Sequence, residues 1–139
     1  KIDLRTGELM GFEALLRWEQ RCGAWGTPVM IAPAFADSEL ALVIGEHMMT
    51  RVLDDIRRWC DAGIKFGQVA INTCPGDFAA NDFAERLLAG LRTRGLSPSL
   101  VEVEVTESVF LDRGSHYVLR ALTKLSERGV RISLDDFGT

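Results

Sequence analysis

Glu13, Asn72, Glu104, Asp135 and Asp136 supply four carboxylates and one amide oxygen at places where they could act together. Clustered carboxylates repel strongly unless a cation stands between them. Hard oxygen donors of this kind suit Mg²⁺, Mn²⁺ or Ca²⁺. Two such ions a few ångströms apart would polarise a phosphodiester and generate a hydroxide for in-line attack. Arg17 follows four residues after Glu13; on a continuous strand it points to the same side, where a guanidinium can clamp phosphate. Taken singly, each residue has a plainer explanation. Glu13 could be a solvated strand residue, Asn72 a strand cap before a Pro-Gly turn, and Asp135–Asp136 part of an ordinary turn. Glu102 and Glu104 could face water on a one-sided sheet. What singles them out is that they sit at the ends of four separate apolar runs.

Those runs are set out by helices and glycines. A strand-like stretch covers Leu9–Trp18. A loop, Glu19–Pro33, and a short helical piece, Ala34–Leu40, follow. A helix over Leu42–Cys60 repeats Ile44, Met48, Val52, Ile56 and Trp59 on one face and closes at Gly63. The strand Phe66–Asn72 comes next, broken by Pro75 and Gly76. A helix over Asp82–Arg94 ends at Gly95 and leads to the strand Leu100–Thr106, where valine alternates with Glu102, Glu104 and Thr106. A helix over Ser115–Arg128 closes at Gly129 and leads to the strand Val130–Asp135. Helix alternating with strand predicts an α/β fold with parallel strands and right-handed crossovers. Asn72, Glu104 and Asp135 recur about every thirty residues, which suits successive units of a barrel whose active site gathers at the carboxyl ends of its strands. A doubly wound open sheet also fits the alternation, although no glycine-rich dinucleotide fingerprint or P-loop is present to support one.

The net charge of −4 argues against a basic face for duplex DNA. The three cysteines, Cys22, Cys60 and Cys74, are odd in number and lack C-x-x-C spacing, so they read as reduced thiols. No apolar run approaches a membrane span, and no signal peptide is visible at the start. The expected location is the cytoplasm, or the cytoplasmic part of a larger signalling protein.

The motifs together resemble the EAL domain of bacterial cyclic di-GMP phosphodiesterases. Gly11-Phe12-Glu13-Ala14-Leu15-Leu16-Arg17-Trp18 is similar to the family's signature strand. Ile71-Asn72-Thr73-Cys74-Pro75-Gly76-Asp77-Phe78 is similar to its Asn-containing motif, which more often has Ser at the position of Cys74 and Gln at that of Asp77. Val101-Glu102-Val103-Glu104-Val105-Thr106-Glu107 looks like its Glu-rich strand, and Leu134-Asp135-Asp136-Phe137-Gly138-Thr139 like its Asp-Asp-Phe-Gly loop. The resemblance covers the whole chain.

The resemblance implies a partial (βα)₈ TIM-like barrel, with residues 1–139 forming a single incomplete EAL domain. It implies Glu13, Asn72, Glu104, Asp135 and Asp136 as ligands of Mg²⁺ or Mn²⁺, with Ca²⁺ binding without supporting catalysis. It also implies Arg17 and Leu15 as substrate contacts and Glu107 as the residue holding the loop after Asp136. The reaction would be hydrolysis of cyclic di-GMP to linear pGpG. Sensory or diguanylate cyclase domains would accompany it in the parent protein. A (βα)₈ barrel takes about 250 residues, and the family's late lysine and general-base glutamate are expected beyond Thr139. The 139-residue chain is therefore expected to be inactive alone and, with open sheet edges, to form a homodimer or larger aggregate. The alternative is a non-catalytic EAL-like module that binds cyclic di-GMP or a protein partner. One departure touches the substrate side: Ala36, Asp37 and Glu39 stand where the family tends to show two acidic residues and a glycine.

Overall fold

The computed structural model describes residues 1–110 and 115–135, without the side chains of Glu107, Ser108 and Ser115. Its centre is a parallel four-stranded sheet. The strands are β1 (Gly11–Ala14), β4 (Gln68–Thr73), β5 (Val101–Thr106) and β6 (Arg131–Asp135), lying side by side in that order. Between β1 and β4 come a two-residue ribbon, β2 (Trp18–Glu19) with β3 (Trp25–Gly26), and two helices, α1 (Ala32–Ala36) and α2 (Ser38–Asp61). Helix α3 (Phe83–Thr93) links β4 to β5, and α4 (Ser115–Glu127) links β5 to β6.

The strand order answers the question that alternation left open. In a doubly wound sheet the order reverses at a switch point and helices cover both faces. Here β4, β5 and β6 advance in one direction. One apolar cluster joins α2, α3 and α4 to a single face of the sheet. That is an arc of a (βα) barrel, with helices outside and the opposite face turned inward.

Period-two alternation builds both faces. Val69 and Ile71 of β4 and Val101, Val103 and Val105 of β5 point outward. There Leu53 and Ile56 of α2, Leu87 and Leu91 of α3 and Leu125 of α4 bury against them. The register Ala70↔Glu102, Asn72↔Glu104↔Ser133 and Thr106↔Asp135 puts those residues on the inward face. Helices α2, α3 and α4 each end at a glycine with positive φ, Gly63 (66°), Gly95 (62°) and Gly129 (90°). The residue after each glycine returns a backbone N–H to the helix's last turn, as in Leu96 N to Leu91 O (3.0 Å).

Several expected boundaries move. The strand expected over Leu9–Trp18 stops at Ala14, and the expected loop Glu19–Pro33 holds β3 and a 3₁₀ turn at Pro28–Ile31. The helix expected from Leu42 starts at Ser38, because Asp37 caps it: its Oδ1 accepts from Glu39 N (3.0 Å) and Leu40 N (3.1 Å). On that helix Met49 and Leu53 are buried while Met48 and Ile44 are only half-buried.

Candidate metal and phosphodiester site

Strand parity and register bring the first three candidates together. Glu13 lies near the end of β1, Asn72 near the end of the adjacent β4, and Glu104 opposite Asn72 on β5. Asn72 Nδ2 donates to Glu13 Oε1 at 2.7 Å. Glu104 is 9 % exposed and Glu102 6 %, so the solvated one-sided sheet that could have explained them is ruled out. Asp135 ends β6 on the same inward face, in register with Thr106. Asp136 lies outside the described residues, as do Phe137, Gly138 and Thr139, and the side chain of Glu107 is not described.

The carboxylates are not left to repel one another. Lys1 extends its ammonium to both residues of β5, reaching Glu102 Oε2 at 3.0 Å and Glu104 Oε1 in a short ion pair. Burial works to raise the Glu102 carboxyl. The Ser133 hydroxyl dipole and the Lys1 ammonium outweigh it, so the group sits below its ordinary range. Ser133 Oγ is buried without a well-formed hydrogen bond; it acts on Glu102 through proximity. Lys1 in turn is held above its ordinary value: burial opposes the charge, and the two glutamates more than compensate. Lys1 escaped the sequence reading because its partners lie about a hundred residues away and nothing local announces them.

Among the described residues, no three His, Cys, Asp or Glu side chains converge as a ready-made metal cage. The reason is visible in the partners: Glu13 is taken up by the Asn72 amide, and Glu104 by Lys1. The donor chemistry nevertheless fits a hard divalent cation. Carboxylates and an amide line adjacent strand ends, and a side-chain cation already rests on two of the glutamates. A half-turn of the Asn72 amide would aim Oδ1, in place of Nδ2, toward Glu13.

Arg17 departs from the strand argument. Because β1 ends at Ala14, Arg17 lies beyond it, and its Nη1 donates to Leu16 O at 2.7 Å. It still shares a groove of about 270 Å³ with Glu13, Leu15, Asp55 and Trp59 along the open edge of β1. Leu15 is exposed and also lines a second hollow of about 260 Å³ with Phe35, Met48, Asn72 and Cys74.

The turn after β4 fixes where Asn72 ends. Cys74 is the N-cap of a 3₁₀ turn, Pro75–Phe78, in which Cys74 Sγ and the Asp77 carboxylate serve each other's backbone N–H groups; Cys74 N donates to Asp77 Oδ2 at 2.8 Å. Cysteine and aspartate thus perform here the reciprocal capping open to the Ser and Gln usual in the resembled motif. Burial pushes the Cys74 thiol up to about 11, with the Asp77 charge adding to it. Arg86 braces the turn from α3: its Nη2 donates to Asp77 O (2.9 Å), Nε meets Asp82 (2.7 Å) and Nη1 meets Glu46 (3.1 Å).

Comparison with known proteins bears on the family and the fold. The family model described as the EAL domain matches residues 1–139. The bifunctional diguanylate cyclase/cyclic di-GMP phosphodiesterase MucR of Pseudomonas aeruginosa is 34 % identical over 139 residues, covering 100 % of this chain and 20 % of that protein. A solved structure of the MucR phosphodiesterase in complex with c-di-GMP superposes with a TM-score of 0.87 at 33 % identity, covering 99 % of this chain and 56 % of that one. The Klebsiella pneumoniae protein BlrP1, solved with manganese and cyclic di-GMP, gives a TM-score of 0.73 at 26 % identity, covering 97 % and 32 %. The chain spans about a fifth of the length of the curated relatives it matches. With its motifs on adjacent strands of a barrel arc and the family model matching from first residue to last, the chain belongs to the EAL domain family.

Proposed function

We propose that this chain supplies the metal-gathering strands of a single domain that hydrolyses cyclic di-GMP to linear pGpG. The observation that carries the reading is the meeting of Glu13, Asn72 and Glu104 at the ends of adjacent parallel strands. On this reading Glu13, Asn72, Glu104, Asp135 and Asp136 hold Mg²⁺ or Mn²⁺. The bound ions would supply charge neutralisation at the phosphodiester and a deprotonated water.

This chain's own residues position and select. Glu102 and Glu104 are buried on the inner face, where the single Lys1 ammonium offsets only part of their charge; the remainder repels a phosphodiester until a further cation balances it. Arg17 would leave the Leu16 carbonyl and turn to a phosphate oxygen, as a guanidinium fork is suited to do. Leu15 would lie against the ligand's apolar surface. The turn braced by Asp77 and Arg86 keeps Asn72 at a fixed height, and Glu107 would hold the loop that follows Asp136. Ca²⁺ would occupy the site without supporting hydrolysis. A homodimer, diguanylate cyclase or sensory partner domains, and a cytoplasmic location go with this reading; the combination of activities in the name of MucR supports the second of these.

The test is made on the whole protein carrying this chain. With Mg²⁺ or Mn²⁺ it should convert cyclic di-GMP to pGpG. Glu13→Ala should lower kcat by roughly 10²–10³-fold or more, on the scale of losing one preorganised electrostatic group. Binding of cyclic di-GMP with no turnover under either metal would replace the enzyme by the non-catalytic module.

A further inference from the structure

Lys1 reaches the candidate metal ligand Glu104 and its strand neighbour Glu102, and the structure shows how it is delivered there. Residues 1–11 fold into a tight hairpin. Asp3 Oδ1 accepts from Arg5 N (2.7 Å) and Thr6 N (3.0 Å), Ile2 bridges Leu9, and Asp3 N donates to Glu8 O (2.9 Å). Met10 N and Gly11 N donate to Lys1 O at 3.0 and 3.3 Å. This ladder fixes the Lys1 backbone beside the start of β1. Its partners stand on β5, with β4 in between. In register with Glu13 and Glu102, β4 carries only Ala70 on the inward face, and that residue is fully covered. A methyl group there leaves room for a long side chain to pass overhead. The ammonium lands between two carboxylates spaced i, i+2 on one strand face, 3.0 Å from Glu102.

We propose that Lys1 is a built-in counter-cation for the β5 glutamates. It holds Glu104 in place when no divalent ion is bound and competes with that ion for Glu104 when one arrives. Glu102 is the anchor that takes up the ammonium when Glu104 is released to the metal. Lys1 and Glu102 are thus positioning residues acting through Glu104. The inference rests on the reading of Glu13, Asn72 and Glu104 as metal ligands.

Two variants of the whole protein test it, read by calorimetric titration with Mn²⁺ in the absence of nucleotide and by melting temperature without metal. Lys1→Met should bind Mn²⁺ about tenfold more tightly, the scale of removing a unit charge at about 6 Å from a divalent ion in a water-like dielectric. The same variant should melt several degrees lower without metal, and Lys1→Arg should restore both values. Glu102→Gln should weaken Mn²⁺ binding several-fold, because the ammonium then has Glu104 alone. Mn²⁺ affinity unchanged or weakened in Lys1→Met overturns the proposal, as does unchanged or tighter binding in Glu102→Gln. If Glu13→Ala and Asn72→Ala bind Mn²⁺ as tightly as the parent, the ligand assignment fails instead, and this inference fails with it.

Discussion

At the scale of single residues, Asp77 connects stability to the placement of Asn72. Burial raises its carboxyl above the ordinary value of 3.8, although the backbone N–H and thiol of Cys74 and the Arg86 charge pull the other way. An acid with a raised folded-state pKa gives up its proton later in the folded chain than in the unfolded one. Its contribution is therefore full below the unfolded value and is lost as pH rises through the folded one. Asp77→Asn keeps an acceptor for Cys74 N–H and removes the titration. The variant should gain stability relative to the parent as pH rises from about 4 to neutrality, and Asp77→Ala should cost about 1 kcal/mol as a lost cap. Urea unfolding across that pH range measures both. Glu102 has a lowered carboxyl and the opposite sign, losing stability as pH falls through its folded value, so only the difference between Asp77 variants isolates Asp77. At this scale the sequence carried the donors and not their partners. Glu13, Asn72 and Glu104 were legible because each ends an apolar run. Lys1 was not, since an ion pair spanning two strands leaves no local pattern. The parity argument for Arg17 failed because it assumed a strand continuing past Ala14.

At the scale of elements, α2 shows how one cap and one close approach set a boundary. Asp37→Ala removes the acceptor for Glu39 N and Leu40 N and should cost about 1 kcal/mol, read as a lowered denaturation midpoint with an unchanged slope. Gly45 has a different role. A Cβ at that position would lie 1.8 Å from Asp77 Oδ1, and the Asp77 side chain is tied down by Cys74. Gly45→Ala should therefore destabilise the protein even though alanine is favoured in a helix interior by about 1 kcal/mol. Gly45→Ala combined with Asp77→Ala should be markedly less harmful than the sum of the two single changes. Helix periodicity and closing glycines were readable, which is why α3 and α4 fall within a residue or so of expectation. The start of α2 was missed, although Asp37-Ser38-Glu39 carries a capping signal. The ribbon of β2 and β3 was missed because two-residue strands are too short for alternation to show.

At the scale of the whole molecule, the four-stranded sheet has β1 and β6 as its two edges. Phe12, Leu15, Leu9 and Met10 are exposed on and around β1. Exposed edges and apolar surface favour association with another chain. A polypeptide of these 139 residues should sediment as a dimer or larger species at micromolar concentration, and a monodisperse monomer would count against this. The run of parallel αβ units was legible, since three helix-strand repeats in succession leave few topologies. The sequence could not choose between barrel and doubly wound sheet, because strand order depends on contacts between segments and not on their internal patterns.

The strict alternation of β5 has a genetic consequence. Its six residues encode the helix-facing wall and the inward acidic face in interleaved positions. A substitution there damages one face and spares the other. Deleting a single codon would exchange the two, turning valines toward the acidic site and glutamates toward Leu53 and Leu87. Insertions and deletions should therefore be absent from β5 in any pool of variants selected for folding, and collect instead in the turns around Arg21–Gly23 and Asp61–Gly63, whose residues are largely exposed.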